Sequence, residues 1–317
     1  MISNDYSFLA RLVSNSASVR DQLAQTQEQI ASGLVSDTYA GLGSNARTSL
    51  SLSPAIAHQT AYTNNINLAQ GRLDATQTAM TSISDIASKF FAQVNTFSSS
   101  DTGSTEVLAQ QARTALQQVR DLLNTRSGDI YVFAGQDTDH APIPNTDPAV
   151  ISSGVLNPSG GSAPFSTTIG SAVPTVQVGA GQHVQVGLLA NANTLATSTA
   201  PTTGSYMRDL LTGLAKIAGL TSSSDPSGDA TTARGYIGSA ISAMATEMGS
   251  LGNIQSGLKD RQAQIGSLTT ALSKQLSGAQ DVDAAAAISK ASLLQTQLTA
   301  SYQIIASTKS LSLANYL

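Results

Sequence analysis

Few residues in this 317-residue chain have the types and spacing that chemistry needs. Asp137, Asp139 and His140, in the stretch GQDTDHAP, could hold a divalent cation and make a cation-dependent hydrolase the enzymatic reading. A polar turn ahead of Pro142 accounts for the same residues without an ion and is preferred. The other histidines, His58 and His183, have neither the i, i+4 spacing nor the cysteine company of a metal site. Asp281 and Asp283 form a second carboxylate pair, which helix capping explains. There is no GxxxxGK[ST] loop, and GAGQHV lacks the last glycine and the strand-to-helix setting of a dinucleotide loop. No serine stands in a nucleophile elbow. Met80, Met244 and Met248 fall on heptad faces and read as core. The expectation is no catalytic residue, no metal, no cofactor and no enzyme.

Composition narrows the remaining classes. Charged residues are 11% of the chain, under half the usual share of about 25%, while hydrophobic residues are 41% and aromatics 4%. Sixteen Lys and Arg against twenty Asp and Glu give a net charge of −4, too dilute and too acidic for a phosphate backbone. Nucleic acid is excluded as a partner. No run approaches the roughly 20 apolar residues of a membrane helix, so no membrane contact is expected. The start, MISNDYSFLARLVSNS, reads as lacking a conventional signal peptide. Without cysteine there are no disulfides and no thiol chemistry.

What the sequence does carry is periodicity. Leu9, Leu12, Ser16, Val19, Leu23, Thr26 and Ile30 recur in steps of three and four, with Gly33 as a stop. A Gly/Ser/Asn-rich loop follows, and Ser53-Pro54 reads as a helix start. Tyr62, Ile66, Ala69, Leu73, Thr76, Met80, Ile83, Ala87, Phe90, Val94 and Phe97 then hold the step through five heptads. A helix over 54–97 would run about 65 Å and needs a long partner. After SDTGST, a shorter helix carries Leu108, Ala112, Ala115, Val119 and Leu122.

The second half supplies that partner. Ile237, Ile241, Met244, Met248, Leu251, Leu258, Ile265, Leu272 and Leu276 keep the step, interrupted by Gln255, Gln262 and Thr269. Ile288, Ala291, Leu294, Leu298 and Ile305 mark a last helix capped by Asp281 or Asp283. Between the helical halves lie most prolines and two alternating runs, Thr175–Gly179 and His183–Gly187, which read as a β-hairpin. A short amphipathic helix (Tyr206, Leu210, Leu214, Ile217) follows.

The fold expected is mainly α, an elongated rod of long antiparallel helices built from both chain ends, with a small central β-containing insertion. Three segments are expected: a coiled-coil-like assembly part (1–50 with 279–317), a helical bundle (51–141 with 205–278) and a β-rich part facing outward (142–204). Burying a Leu or Ile contributes roughly 1.5–3 kcal/mol, against about 1–2 kcal/mol of backbone entropy per ordered residue. The terminal helices have too few large apolar residues to fold alone, so Leu9, Leu12, Val19, Leu23, Ile30, Ile288, Leu294, Leu298 and Ile305 are expected to act in subunit assembly. Ile66, Leu73, Met80, Ile83, Phe90, Val94, Ile241, Met244, Met248 and Leu251 are expected to form the core of the bundle.

Four segments carry a family resemblance. LNTRSGDIYVFAGQDTDHAPI, from Leu123, resembles the bacterial flagellar hook-associated protein 3 family through Asn124, Thr125, Gly128, Tyr131, Phe133, Gly135 and Pro142. The ending resembles that family's through Asp281, Val282, Asp283, Ala284, Ile288, Gln295, Leu298, Ser312, Leu313, Tyr316 and Leu317. Gln29–Gly33 (QIASG) and Leu251–Gln255 (LGNIQ) are similar to segments of flagellins. The chain departs from the pattern at Val35–Gly41, where basic residues and paired Asp are usual, and at Ala134, where Ser is usual. The resemblance implies a flagellin-like structural subunit that forms a ring of copies at the hook–filament junction, linking hook-associated protein 1 to flagellin. It also implies an extracellular place on the flagellum, export through the type III apparatus without a cleaved signal peptide, and a cytoplasmic export chaperone. A flagellin-type filament subunit is the alternative within this class, and a binding module or adhesin using the central β region is the alternative outside it.

Overall fold

The computed structural model describes residues 2–97, 102–157, 164–169, 172–191, 203 and 205–314; side chains are described over 10–307 of these, Thr102 excepted. The chain divides into two compact units, Met1–His58 with Ser267–Leu317, and Gln59–Gly266. Seven α-helices are found among the described residues: α1 (Ile2–Ser32), α2 (Ala46–Asn95), α3 (Thr102–Leu123), α4 (Pro148–Leu156), α5 (Tyr206–Ala218), α6 (Pro226–Gln280) and α7 (Ala284–Ala314). Two small antiparallel sheets accompany them, β1 (Arg126–Ser127) with β2 (Ile130–Tyr131), and β3 (Thr175–Gly179) with β4 (Gln182–Gln185). The fold is mainly helical, with long helices from both chain ends and a small central β region.

In the unit Gln59–Gly266 the heptad stripe of α2 is the spine of the core. Ile66, Ala69, Leu73, Met80, Ile83, Ala87, Phe90 and Val94 are all buried. Thr76, the one polar member, is buried too, because its hydroxyl donates to the Arg72 carbonyl at 2.9 Å. On α6, Met244 and Leu251 are buried while Ile241 and Met248 are half-buried against the same core.

The two helices run antiparallel in one register. Gln262 Nε2 donates to Asn67 Oδ1 at 2.8 Å, Gln255 Nε2 to Asp74 Oδ1 at 2.8 Å, and Thr81 Oγ1 lies 3.8 Å from Met248 Sδ. Farther on, the Phe91 ring packs over Gly238. Each step forward along α2 is matched by an equal step back along α6. The glutamines that interrupt the apolar repeat of α6 are therefore the pairs that fix its register, as a polar residue does in a coiled-coil seam.

Helices α3 and α5 close the bundle. Leu116, Val119 and Leu123 of α3 and Tyr206, Leu210, Leu214 and Ile217 of α5 are fully buried. Gly213 lets α5 and α6 meet: a Cβ there would stand 2.6 Å from Ile237 Cγ1 and 3.0 Å from the Ala233 carbonyl oxygen. Gly213→Ala is expected to destabilise by about 1–3 kcal/mol by overpacking, although helix propensity alone favours Ala by about 1 kcal/mol. The sign of the shift in urea midpoint decides between the two.

Where α5 turns into α6, Asp229 accepts hydrogen bonds from Ser223 Oγ and from Lys216 Nζ (3.0 Å). The Ser223 hydroxyl first, and then Lys216, hold its carboxyl below the usual carboxylate range. This stabilisation is present above the unfolded carboxyl's pKa and is lost as pH falls through the lowered folded value. Asp229→Asn is expected to flatten the acid side of a stability-versus-pH profile and to leave the alkaline side unchanged.

Two elements differ from the expected ones. Helix α2 begins at Ala46 and passes through Pro54 rather than starting there. Proline removes one donor, to the Leu50 carbonyl, and the preceding turns have their own anchors: Asn45 Nδ2 donates to the Ala279 carbonyl at 3.3 Å and Gln280 Nε2 bonds Ser49 Oγ. Helix α4 lies in a region read as irregular apart from its hairpin; Asp147 Oδ1 caps it by accepting from the Ala149 N–H at 2.9 Å, with Pro148 in its first turn. The hairpin lies against the helices, where Asn65 Nδ2 donates to the Gln177 carbonyl at 3.0 Å and Arg261 Nε to the Val178 carbonyl at 3.2 Å.

Candidate assembly site

In the unit formed by Met1–His58 and Ser267–Leu317, α1 and α7 pack on each other in antiparallel fashion. Helix α1 ends at Ser32, and Gly33 takes the left-handed conformation (φ 74°) that a non-glycine residue adopts at a cost. The chain then pairs with the α6–α7 connection: Val35 N–H donates to the Gln280 carbonyl at 2.7 Å, and Val282 N–H to the Gly33 carbonyl at 2.9 Å. Gln29 Nε2 closes the turn on the Val35 carbonyl at 2.8 Å. Asp283 caps α7, its Oδ1 accepting from the Ala285 and Ala286 N–H groups at 3.0 and 3.1 Å. Asp281 instead takes the Ser277 hydroxyl and bridges Leu34.

The seam between α1 and α7 is weakly apolar. On α1 its buried members are Ser16 and Thr26, whose hydroxyls donate to the Leu12 and Gln22 carbonyls at 2.8 and 2.7 Å. Leu12, Val19, Leu23 and Ile30 are only half-buried; Leu9 lies in α1 with its side chain outside the described residues. On α7, Ala287 and Leu294 are buried, and Ala291, Leu298 and Ile305 are half-buried. Ile288, expected on this stripe, is 56% exposed, because Ala287 takes the place in the seam one residue earlier.

More apolar surface lies outside the seam than the stripe implies. Leu293 is 58% exposed and Tyr302 52%, and Ile304 is exposed as well. At 100° per residue, Ile288 and Tyr302 fall on one side of the seam and Leu293 and Ile304 on the other. Across Ala284–Ala314 the sequence carries only Lys290 and Lys309 as charges. Helix α7 is thus apolar on three sides, and α1 covers one of them. A helix that is apolar all round is a buried helix. The signal was present in the sequence as apolar residues off the heptad stripe, which a search for a single stripe passes over.

The histidine–carboxylate group has a different part. His140 Nδ1 lies 2.8 Å from Asp137 Oδ1 and 3.1 Å from Oδ2, so one ring nitrogen meets both carboxylate oxygens. His140, and then the Thr168 hydroxyl, hold the Asp137 carboxyl below its usual range, and Asp137 raises the imidazole in turn. The pair clasps the loop that follows β2. Among the described residues no three His, Asp or Glu side chains gather as a metal site.

The same loop gathers the residues of the 123–143 segment. Asn124 Nδ2 donates to the Ile143 carbonyl at 2.8 Å, and its Oδ1 accepts from the Ile143 N–H at 2.9 Å. Gly128 and Gly135 have positive φ. Phe133 is fully buried, its carbonyl accepting from the Ala190 N–H at 3.0 Å.

The comparisons fit this architecture. A family model of the bacterial flagellin N-terminal helical region matches residues 4–138, and one of the C-terminal helical region matches 235–317, together more than half of the chain. The chain belongs to the flagellin family. No curated protein matches it. Among solved structures, a protein assigned as flagellar hook-associated from Vibrio parahaemolyticus is similar in fold, with a TM-score of 0.58 and 14% identity, covering 77% of this chain and 99% of that one. As a family member the chain is a structural subunit of the flagellum. Both matched regions include terminal helices, and neither reaches the segment between 138 and 235. No helix of the described residues is long and apolar enough to cross a membrane.

Proposed function

We propose that this flagellin-family chain forms the ring at the hook–filament junction, seated between hook-associated protein 1 and the first flagellin subunits, and that it carries out no reaction. The observation that supports an assembly role is α7, apolar on three sides and covered on one. Copies of the chain, with hook-associated protein 1 and flagellin, supply the missing cover. The segments 1–50 and 279–317 then make the assembly contacts, 51–141 with 205–278 make the bundle, and 142–204 faces outward from the bundle on which its hairpin is anchored through Asn65 and Arg261. The junction position is supported by the IYVFAG segment and the SLANYL ending, which resemble hook-associated protein 3. Passage outward through the flagellum's own export apparatus, with a cytoplasmic chaperone on the C-terminal segment, belongs to the same reading.

A filament subunit is the second reading, and the two flagellin family matches favour it equally. Seeding separates them. Purified chain added to isolated hooks bearing hook-associated protein 1 is expected to add one ring and stop, and to make those hooks competent to nucleate flagellin. Continued elongation by this chain alone assigns it to the filament. Failure to add at all counts against both.

A further inference from the structure

Within the unit Gln59–Gly266, residues 164–169 form a strap whose apolar and polar anchors alternate. Phe165 and Ile169 are buried in the core, the Arg208 guanidinium of α5 stacks on the Phe165 ring at 5.0 Å, and Pro164 abuts Gly154 of α4. Between these anchors the strap is tied to the loop after β2. Ser166 N–H donates to the Pro142 carbonyl at 2.8 Å, and the Thr168 hydroxyl donates to the Asp137 carboxylate. Inside the strap, Thr168 N–H donates to Ser166 Oγ at 3.2 Å, and the two hydroxyl oxygens lie 2.7 Å apart. An ionised carboxylate only accepts, so Thr168 points its proton at Asp137 and Ser166 points its own at Thr168.

The same carboxylate takes His140 as well, whose Nδ1 lies 2.8 and 3.1 Å from its two oxygens. The Asp137 side chain is 24% exposed, against 67% for His140. Asp137 is therefore a largely covered node joining two chain segments. Asp139, on the loop itself, adds to the pull of Asp137 on the imidazole. Charged groups on the surrounding elements have partners of their own. Arg126 of β1 stacks on Tyr131 and stands 4.0 Å from Asp129, Asp147 caps α4, Arg208 covers Phe165, and Asp209 of α5 accepts from Thr203.

We propose that Asp137 is an acid trigger for this strap: protonating its carboxyl weakens the seat of Thr168, and His140 sets the pH at which that happens. A neutral acceptor makes a bond about half as strong as a charged one, and a protonated Asp137 also loses its attraction for the imidazolium. His140 first, and then Thr168, hold the Asp137 carboxyl below its usual range. The seat is thus present above the unfolded carboxyl's pKa and is lost as pH falls through the lowered folded value. The alkaline side differs. A neutral imidazole keeps one N–H, so loss of the His140 charge leaves Asp137 ionised and Thr168 bound.

Amide exchange of the full chain, followed residue by residue by NMR and corrected for intrinsic rates, tests the trigger. The strap is read at the Ser166 and Ile169 N–H groups, bonded to the Pro142 and Ser166 carbonyls. Their protection is expected to hold between about pH 5 and 8.5 and to fall about three- to fivefold below the lowered Asp137 value. Ala190 N–H, bonded to the Phe133 carbonyl, and the α2 core are expected to keep theirs. His140→Gln is expected to move the fall upward, toward the ordinary carboxyl value of about 4. Asp137→Asn is expected to leave the strap weakly protected at every pH, with Ala190 unchanged. A strap that loses protection only together with Ala190 and the α2 core reports acid unfolding of the chain and overturns the trigger. So does a fall that His140→Gln leaves in place. Neither result touches the assembly role.

Discussion

Ile288→Asp and Leu293→Asp, made separately, are expected to abolish addition of the chain to hooks while moving the melting temperature of the free chain by no more than about 2 °C. Both side chains are more than half exposed in the single chain. A substitution at such a site costs the free chain within about 0.5 kcal/mol, and on a protein of this size that is a shift of one or two degrees. In an assembly the same positions lose roughly 1.5–3 kcal/mol of apolar burial each and place a carboxylate in a dry contact, which costs several kcal/mol more. Every subunit carries the change, so the losses multiply around a ring. Light scattering and electron microscopy of seeded hooks read the first effect, and calorimetry of the free chain reads the second. A comparable fall in both would mean that these residues hold the chain itself together.

Phe133→Ala is expected to have the opposite signature. Phe133 is fully buried in the loop that joins β2 to α4, and its main chain is bonded to Ala190. Removing a buried phenylalanine costs about 3–5 kcal/mol, a large share of the roughly 5–15 kcal/mol that a protein has in total. Phe133→Leu, which keeps most of the volume, is expected to cost under about 1.5 kcal/mol. Urea denaturation of the two variants measures both, and the ordering matters more than the absolute values. Equal losses would mean that the aromatic ring fills no defined space.

How far the sequence could be read depended on whether a signal was local. The α2 stripe was legible because Ile66 to Val94 repeats without a break, and even Thr76 could be placed in the core, its hydroxyl satisfied by its own helix. Gly33 and Asp283 were legible as helix ends for the same reason: the turn and the cap use nearby backbone. Pro54 misled, because the cue for a first helical position is the same proline that a tertiary-anchored helix tolerates inside. Helix α4 was hidden among prolines, although Asp147-Pro148 is itself a start signal. Gln255 and Gln262 looked like interruptions, and only the partner helix reveals them as the register pairs with Asp74 and Asn67. At the terminal unit the half-covered stripe was foreseeable. Leu293, Tyr302 and Ile304 were not, since a heptad search selects one face of a helix that is apolar on three.

Amide hydrogen exchange across residues 284–307, compared between free and assembled chain, tests most directly whether the terminal helices are finished by neighbouring subunits. In the free chain, α7 is expected to exchange far faster than the α2 core around Ile66–Val94, and in the assembly to slow by about a hundredfold or more, as burial of several apolar side chains requires. Protection of α7 already complete in the free chain, and unchanged on assembly, would contradict the account.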